Sequence, residues 1–209
     1  DVGGTFTDVV AWDPATNRLQ ATKVPSTPPE LEGGVVRGVR KILEIAGREP
    51  SGVDRIIHGT TISLNAILER KGACLGLLTT AGFEGTLTIG RARRTSLYDY
   101  FIDAETPIFL CPRRRIYGIP ERVGPDGEAI APLDEDAVAR AVDELRDLHR
   151  GDAIVVCYLN AFANPAHERR TEEIIRARFP RARVSLSSVV DPRFREYERL
   201  CITAFDAYV

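Results

Sequence analysis

A pair of adjacent glycines between two short runs of β-forming residues constrains the fold of this chain more than any other feature. The chain opens with the string DVGGTFTD, in which Asp1–Val2 predicts the end of a strand and Phe6–Trp12 a second strand. Gly3-Gly4-Thr5 is then the turn between them, and a second turn over Asp13–Asn17 leads to a third strand over Arg18–Val24. The sequence therefore predicts an antiparallel meander at its start.

The same string has the composition of a phosphate site. The two glycines have no Cβ atoms that would block an approaching phosphate, and their amides can form an anion nest. Thr5 and Thr7 add hydroxyl groups. Asp1 and Asp8 would repel a phosphate unless a divalent cation lies between these carboxylates and the phosphate. Carboxylate oxygens suit Mg²⁺ or, as an alternative, Mn²⁺. Two glycines alone are typical of an ordinary hairpin, but the whole string favours a phosphate turn with a metal at Asp1 and Asp8.

The rest of the chain alternates between helical and strand patterns, which predicts an α/β fold with a mixed sheet and flanking helices. Apolar spacing predicts helices over 31–46, 61–71, 133–149, 165–179 and 196–209, and short strands over 55–58, 74–79, 153–159 and 184–186. The pair Gly33-Gly34 weakens the first of these helices. Asn164 is the expected cap of the helix over 165–179.

The stretch 82–132 is rich in Gly, Pro and Arg and has little periodicity. We interpret it as an insertion that decorates a core fold, with a hairpin in which 116–123 and 128–131 flank the turn Gly124–Gly127. The remainder of 1–190 is then the main domain, and 191–209 is the start of the next one. The chain has no methionine and ends in a predicted helix, so we expect it to be a segment of a longer polypeptide.

Charge and hydropathy exclude two classes of partner. The net charge of −2 gives no electrostatic reason to expect nucleic acid, and no apolar run approaches the roughly 18 residues of a membrane span. The four cysteines form no CxxC pair, and Cys74 and Cys157 lie in apolar runs. Buried, reduced thiols at these two positions fit a cytoplasmic location.

Three strings together identify a family resemblance. DVGGTFTD at the start, HGTT at 58–61 and GFEGTLTIGRARR at 82–94 resemble the N-terminal region of the hydantoinase A/5-oxoprolinase family. That resemblance implies an actin-like (ribonuclease-H-like) fold and an ATP-dependent enzyme that activates a carbonyl oxygen by phosphoryl transfer. It also implies a small-molecule cyclic amide or ketone as substrate, and a hydantoinase B-type partner subunit or domain.

The resemblance extends to particular residues. It implies that the nucleotide contacts Gly3, Gly4, Thr5, Phe6 and Thr7 at the first turn, and Gly59 and Thr61 in the second string. Catalytic roles then fall to Asp8, His58 and Thr60. A lone histidine at a strand end is more often structural, but an imidazole can act as a general acid or base.

Arg91, Arg93 and Arg94 follow Gly90 and have two interpretations. We expect Arg91 and Arg94 to clamp the substrate, because a guanidinium pairs well with a carboxylate or with nucleotide phosphates. A solvated loop is the alternative.

Other functions of the same fold stay open at this point. The family includes subunits of acetone and acetophenone carboxylases, and DxGGT openings occur in small-molecule kinases. A non-catalytic subunit is a further alternative. No second glycine turn of the first type follows residue 8, so the adenosine half of an actin-like site is missing and residues 1–209 alone should be inactive.

Overall fold

The computed structural model describes residues 1–27, 30–92, 98, 106–147 and 152–209. It separates into two compact units, Asp1–Lys71 and Gly72–Val209. Each unit is built from local elements that the sequence patterns favour.

The first unit contains the predicted meander. Strands β1 (Phe6–Asp13) and β2 (Arg18–Pro25) pair antiparallel, with Trp12 opposite Leu19. Val2 pairs antiparallel with Thr7 and parallel with Thr60, so the first two residues lie between β1 and a later segment of the chain. The expected strand end, turn and hairpin are all confirmed.

Helix α1 (Glu32–Ala46) packs against β1 and β2, and the glycine pair that weakens its propensity lies inside it. Glycine at buried positions of α1 lets the helix approach the hairpin closely. A Cβ atom at Gly38 would lie 2.6 Å from Cγ2 of Val9, and one at Gly34 would lie 3.3 Å from Oγ1 of Thr7. Packing therefore compensates for the helix propensity that these glycines lose.

The strand predicted over 55–58 is not formed. Ile56 is 69% exposed and Ile57 is 88% exposed, and neither belongs to a strand. The parallel pairing with Val2 is made by Gly59–Thr61, which leaves 55–58 without a paired neighbour among the described residues. Helix α2 (Ile62–Leu68) follows directly, as predicted.

The second unit is built on a four-stranded parallel sheet. Its strands are β3 (Leu75–Thr80), β4 (Ile116–Ile119), β7 (Ala153–Cys157) and β8 (Arg183–Leu186), in the order β4-β3-β7-β8. Strands β3 and β7 are buried along their whole length, which explains their unbroken apolar runs. Parallel and antiparallel strands thus both occur, but in separate sheets.

Helices flank this sheet. Helices α4 (Glu135–Asp147) and α5 (Ala166–Arg178) pack on each other and on the sheet, around Leu78, Ile154 and Val156. Helix α7 (Glu196–Tyr208) packs on β3, β7 and β8. Two four-residue helices complete the unit, α3 (Thr86–Ile89) and α6 (Ser187–Val190). At the start of α5, Oδ1 of Asn164 accepts a hydrogen bond from the amide of Ala166 at 3.0 Å.

The region expected to be an insertion contains part of the core. Strand β4 pairs with β3 from Leu77–Ile116 to Thr80–Ile119, so it belongs to the sheet. The sequence predicted residues 116–123 as one arm of the hairpin, whereas their first four residues form a strand of the central sheet. The predicted hairpin is present as β5 (Arg122–Val123) and β6 (Ala129–Ala131), with Gly127 at φ +87° in the turn.

None of the four cysteines forms a disulfide, and the burial of Cys74 differs from the expectation. Cys157 is buried as predicted, whereas Cys74 is partly exposed and Cys111 is buried. Burial raises the pKa of both Cys111 and Cys157 to about 12. Among the described residues, no helix combines the length and hydropathy of a membrane span.

These pKa values predict which thiols resist alkylation. With a pKa of about 12, Cys111 and Cys157 carry about a thousandfold less thiolate at pH 8 than an ordinary cysteine. Because only the thiolate reacts with an alkylating agent, both should react slowly. We expect iodoacetamide, followed by peptide mass spectrometry, to label both far more slowly in the folded chain than in urea. Equal labelling rates in the two conditions would contradict the burial of these thiols.

Candidate functional site

The glycine turn at the start of the chain is closed by backbone hydrogen bonds on both of its strands. The amide of Gly3 donates to the carbonyl of Phe6 at 3.0 Å. One step further from the turn, Asp1 and Asp8 exchange hydrogen bonds in both directions, at 2.8 and 2.9 Å. Val2 and Thr7 are paired with each other between the Gly3–Phe6 bond and the Asp1–Asp8 bonds, and both are buried.

Ser26, at the end of β2, braces the turn from the side. Its hydroxyl donates to the carbonyl of Gly3 at 2.7 Å and lies 3.0 Å from Oγ1 of Thr7, and its amide donates to the carbonyl of Thr5 at 2.9 Å. Three contacts from one residue therefore hold both ends of the loop. The turn is fixed before any ligand binds.

The tip of the turn is open to an anion. The amides of Gly4 and Thr5 donate to no acceptor among the described residues, and both residues are exposed. Gly4 lies outside the left-handed region of φ, and a Cβ atom there would meet only Nδ2 of Asn65, at 3.7 Å. A methyl group at Gly4 would thus leave the backbone unstrained while filling space in front of these amides.

Asp1 and Asp8 lie on one face of this strand pair. Because they form a hydrogen-bonded antiparallel pair, their side chains leave the same face, with Cα atoms about 5.5 Å apart in such pairs. Both residues are exposed, and Oδ1 of Asp8 also lies 3.2 Å from Nζ of Lys23. Two carboxylates on one face suit Mg²⁺, which keeps several water ligands. Among the described residues, no group of three or more acidic, histidine or cysteine side chains could hold a metal ion.

Thr7 does not share that face. Alternation along β1 turns its side chain inward, where it is 2% exposed and contacts Ser26. Phe6 is exposed on the outer side, with Nζ of Lys23 5.4 Å from the centre of its ring. The structure therefore brings the turn residues together but gives their side chains two different directions.

The second string meets the turn through Val2. The amide of Val2 donates to the carbonyl of Gly59 at 3.1 Å, and the amide of Thr61 donates to the carbonyl of Val2 at 3.3 Å. The hydroxyl of Thr60 donates to the same Val2 carbonyl and accepts from the amide of Ile62, both at 3.2 Å. This hydroxyl thus fixes the start of α2.

Two further side chains belong to the same neighbourhood. His58 is exposed and directly precedes the paired segment 59–61. Asn65, four residues after Thr61 on α2, lies beside Gly4. Its spacing from Thr61 was the available signal.

The predicted substrate arginines lie in the second unit or outside the described residues. Nε of Arg91 donates to Oε1 of Glu198 at 2.6 Å, and Nη2 lies 2.5 Å from the same oxygen. Arg91 lines a cavity together with residues at the start of α7. Arg94 lies outside the described residues.

Sequence reasoning missed Ser26 and Lys23. Both act across the β1–β2 pair, and their contacts depend on the register that the turn at Asp13–Asn17 sets. Counting outward from that turn places Lys23 opposite Asp8. That count was available from the sequence, whereas the rotamer that aims Ser26 at Gly3 was not.

Comparison with known proteins gives consistent results. A model of the hydantoinase/oxoprolinase N-terminal region matches residues 1–179. Caprolactamase subunit alpha of Pseudomonas jessenii is 34% identical over 213 residues, which cover 100% of this chain and 30% of that protein. The acetophenone carboxylase gamma subunit of Aromatoleum aromaticum is 35% identical over 230 residues, with the same coverage of 100% and 30%.

Solved structures agree with the sequence comparison. The crystal structure of ATP-dependent caprolactamase from Pseudomonas jessenii has a TM-score of 0.82 at 34% identity, over 100% of this chain and 30% of that one. A nucleotide-free structure of acetone carboxylase has a TM-score of 0.85 at 26% identity, over 99% of this chain and 31% of that one. The expected α/β class is confirmed, and the likeness is consistent with an actin-like fold. The chain spans about 30% of the length of these relatives.

The bracing role of Ser26 predicts a loss of stability on truncation. Ser26→Ala removes the donor to Gly3 and leaves the buried hydroxyl of Thr7 without this partner, which should cost about 1–3 kcal/mol of unfolding free energy. Urea denaturation measures the loss. Ser63→Ala, at an exposed position of α2, is the matched control and should change stability by less than about 0.5 kcal/mol. Equal stability of the two variants would remove Ser26 from this role.

Proposed function

This chain belongs to the hydantoinase/oxoprolinase family, whose N-terminal region it matches, and on that premise we propose that it is the phosphate-binding part of an ATP-dependent enzyme that opens a cyclic amide or imide ring. The observation that carries the proposal is the pair of exposed, uncommitted amides at Gly4 and Thr5, beside the carboxylates of Asp1 and Asp8. Donors and a potential metal-binding face thus occur within one tight turn.

The chemistry explains why ring opening would need ATP. An amide carbon is a poor electrophile, and its ring nitrogen is a poor leaving group. Transfer of the γ-phosphoryl group to the carbonyl oxygen releases ADP and gives an imidate phosphate, to which water adds. Expulsion of the ring nitrogen leaves an acyl phosphate, and a second water then releases inorganic phosphate and the ring-opened amino acid.

In this proposal the chain contributes positioning and charge stabilisation, which dominate phosphoryl transfer. The amides of Gly4 and Thr5 bind terminal phosphate oxygens, with Gly3 and Phe6 completing the turn. Asp1 and Asp8 would hold a divalent cation, which would neutralise charge on the phosphates. Thr7 acts through Ser26 by keeping the turn rigid, and Thr60 does so through Val2.

His58, Gly59 and Thr61 supply the other predicted contacts. The exposed imidazole of His58 is the proposed proton-transfer group, and Gly59 and Thr61 hold the neighbouring backbone against Val2. Arg94 remains a proposed substrate residue, whereas Arg91 forms an ion pair with Glu198 and is not assigned that role. A hydantoinase B-type partner subunit and a cytoplasmic location belong to the same proposal. The proposed partner is supported by two relatives that are named as enzyme subunits, caprolactamase subunit alpha and the acetophenone carboxylase gamma subunit.

A second candidate is a subunit of an ATP-dependent ketone carboxylase. It is favoured by the similarity to the acetophenone carboxylase gamma subunit, which is 35% identical to this chain, while caprolactamase subunit alpha is 34% identical. The same phosphoryl transfer would trap the enol of a ketone for carboxylation, so the turn serves both reactions.

Gly4 provides a direct test of phosphate binding. We expect Mg-ATP to shift the amide resonances of Gly4 and Thr5 in ¹⁵N spectra of the chain. Gly4→Ala should weaken this binding about tenfold or more, because its methyl group would obstruct the approach of a phosphate to the neighbouring amides and lengthen a charge-assisted hydrogen bond. Gly52→Ala is the control, since a Cβ atom there would meet nothing within 4 Å. Shifts confined to other residues, or unchanged binding by Gly4→Ala, would contradict the proposal.

Turnover separates the candidate reactions. Residues 1–209 alone should release no ADP above the blank, because the adenosine half of the site is not among them. A polypeptide of the relatives' full length that contains this chain, supplied with its partner, should release ADP with a lactam or imide if the first candidate holds. ADP release only with a ketone and bicarbonate supports the second, and release only with a sugar supports a kinase. Measurable turnover by residues 1–209 would show that the half-site interpretation is wrong.

A further inference from the structure

The second unit contains a crevice where its chain topology reverses. From β3 the chain passes to β4 on one side, and from β7 it passes to β8 on the other, so the switch point lies between β3 and β7. Segments that follow these two strands leave the sheet in opposite directions. In open parallel sheets, ligands commonly bind outside the carboxyl ends of the strands at such a point.

A cavity of about 680 Å³ lies at this position. The segment after β3 forms one wall through Phe83 and Thr86, and the start of α7 forms the other through Arg195 and Tyr197. A small adjoining cavity reaches Thr79 and Cys157, at the ends of β3 and β7. The larger volume is within the range of about 300–1,000 Å³ that is typical of small-molecule sites.

The charges on the walls leave one cation over. Both acids at the cavity have arginine partners: Oε1 of Glu198 lies 2.5 Å from Arg91, and Oε1 of Glu196 lies 3.6 Å from the buried Arg199. Arg195 forms no ion pair within 4 Å among the residues that the structure describes; its guanidinium lies 5.2 Å from the centre of the Phe194 ring, and its charge helps to lower the pKa of Glu198 after the larger effect of Arg91. Burial, with a smaller contribution from the hydrogen bond to Cys201, raises the pKa of Tyr197 to about 12, so its hydroxyl stays protonated and adds no negative charge.

The backbone of Arg195 is held in a conformation that arginine rarely adopts. Its φ is +83° and its ψ is +98°, immediately before the first turn of α7. Such a conformation is unfavourable for any residue other than glycine and persists only where the surroundings impose it. A glycine would adopt this conformation without strain, so the arginine at this position indicates a role other than stabilising the fold.

The surroundings that impose this conformation are buried and fully hydrogen-bonded. Arg199 is 0% exposed and donates to the carbonyls of Arg193 and Tyr158, each at 2.8 Å, and to Oγ of Ser187 at 3.0 Å. The hydroxyl of Ser187 donates in turn to the buried carboxylate of Glu168 at 2.6 Å. This chain of bonds ties the residues just before Arg195 to the ends of β7 and β8.

We propose that the switch-point crevice binds a small-molecule carboxylate, with the guanidinium of Arg195 as its main charged contact and the rings of Phe83 and Tyr197 beside the apolar part. Arg91, Arg195 and Arg199 exceed the two acids Glu196 and Glu198 by one charge, which matches a monoanion, whereas a phosphate dianion would leave the crevice with excess negative charge. The assignment rests on the proposed function only in treating this carboxylate as part of the substrate or product. Sequence reasoning named Arg91 for this role, but Arg91 is committed to Glu198.

The test uses two probes of equal shape and different charge, benzoate and benzamide, added to the ¹⁵N-labelled chain without nucleotide. We expect benzoate to shift the amide resonances of Gly82, Gly85, Glu196 and Tyr197, and benzamide to bind at least about tenfold more weakly, because one charge-assisted hydrogen-bond pair is lost. Arg195→Gly should bind benzoate about tenfold more weakly while unfolding at the same or a higher temperature, since glycine relieves the positive φ. Arg181→Ala, which removes an exposed arginine elsewhere, should bind benzoate like the parent chain.

Four outcomes would overturn the proposal: no binding of benzoate, equal binding of benzoate and benzamide, tighter binding of inorganic phosphate than of benzoate, or unchanged binding by Arg195→Gly. None of these bears on Mg-ATP shifts at Gly4 and Thr5, which test the proposed function in a separate titration. Failure of one proposal is therefore distinguishable from failure of the other.

Discussion

The pairing of Val2 is the interaction on which the first unit depends. Val2 is bonded on one side to the strand that begins at Phe6 and on the other to Gly59–Thr61. Without it, the glycine turn would have no fixed second arm, and α2 would lose the carbonyl that Thr60 uses at its start. A single buried valine with two sets of backbone bonds thus sets the geometry of residues that are 58 positions apart in the sequence.

In the second unit a buried polar network has the corresponding role. Glu168 and Arg199 are both fully buried, and isolated charges would be very costly there. Burial raises the pKa of Glu168, and bonds from Ser187, Ser188 and the amide of Tyr158 act in the opposite direction. Such a network contributes less to stability than an apolar core would, but each donor has a fixed acceptor. The first turn of α7 and the walls of the crevice are therefore held in one arrangement.

Local patterns predicted those parts of the molecule in which local interactions decide the structure. The meander, the amphipathic helices α4 and α5 and the buried strands β3 and β7 were all readable from period and turn residues. The segment 55–58 was not, because its β-forming composition says nothing about whether a neighbouring strand is available to pair with it. Strand β4 was assigned to the wrong pairing for the complementary reason: the nearby turn predicted a hairpin arm, and no local pattern showed that β3 is the neighbour with which these residues pair. In the candidate site the turn was predicted, while the inward direction of Thr7 depends on register and became visible only in three dimensions.

The arginines show why residue type alone does not identify a binding group. The sequence drew attention to 91–94 because several guanidinium groups occur together. What a ligand experiences is the charge that remains after the protein has satisfied its own. Arg91 is held by Glu198, and Arg199 is enclosed by Ser187 and two carbonyls, so neither has a charge to spare. Arg195 forms no ion pair within 4 Å among the described residues, only a ring contact with Phe194 and a longer-range interaction with Glu198, and its backbone conformation would favour glycine. A cation without an ion pair in an unfavourable backbone conformation is a stronger indication of ligand binding than a cluster of paired cations.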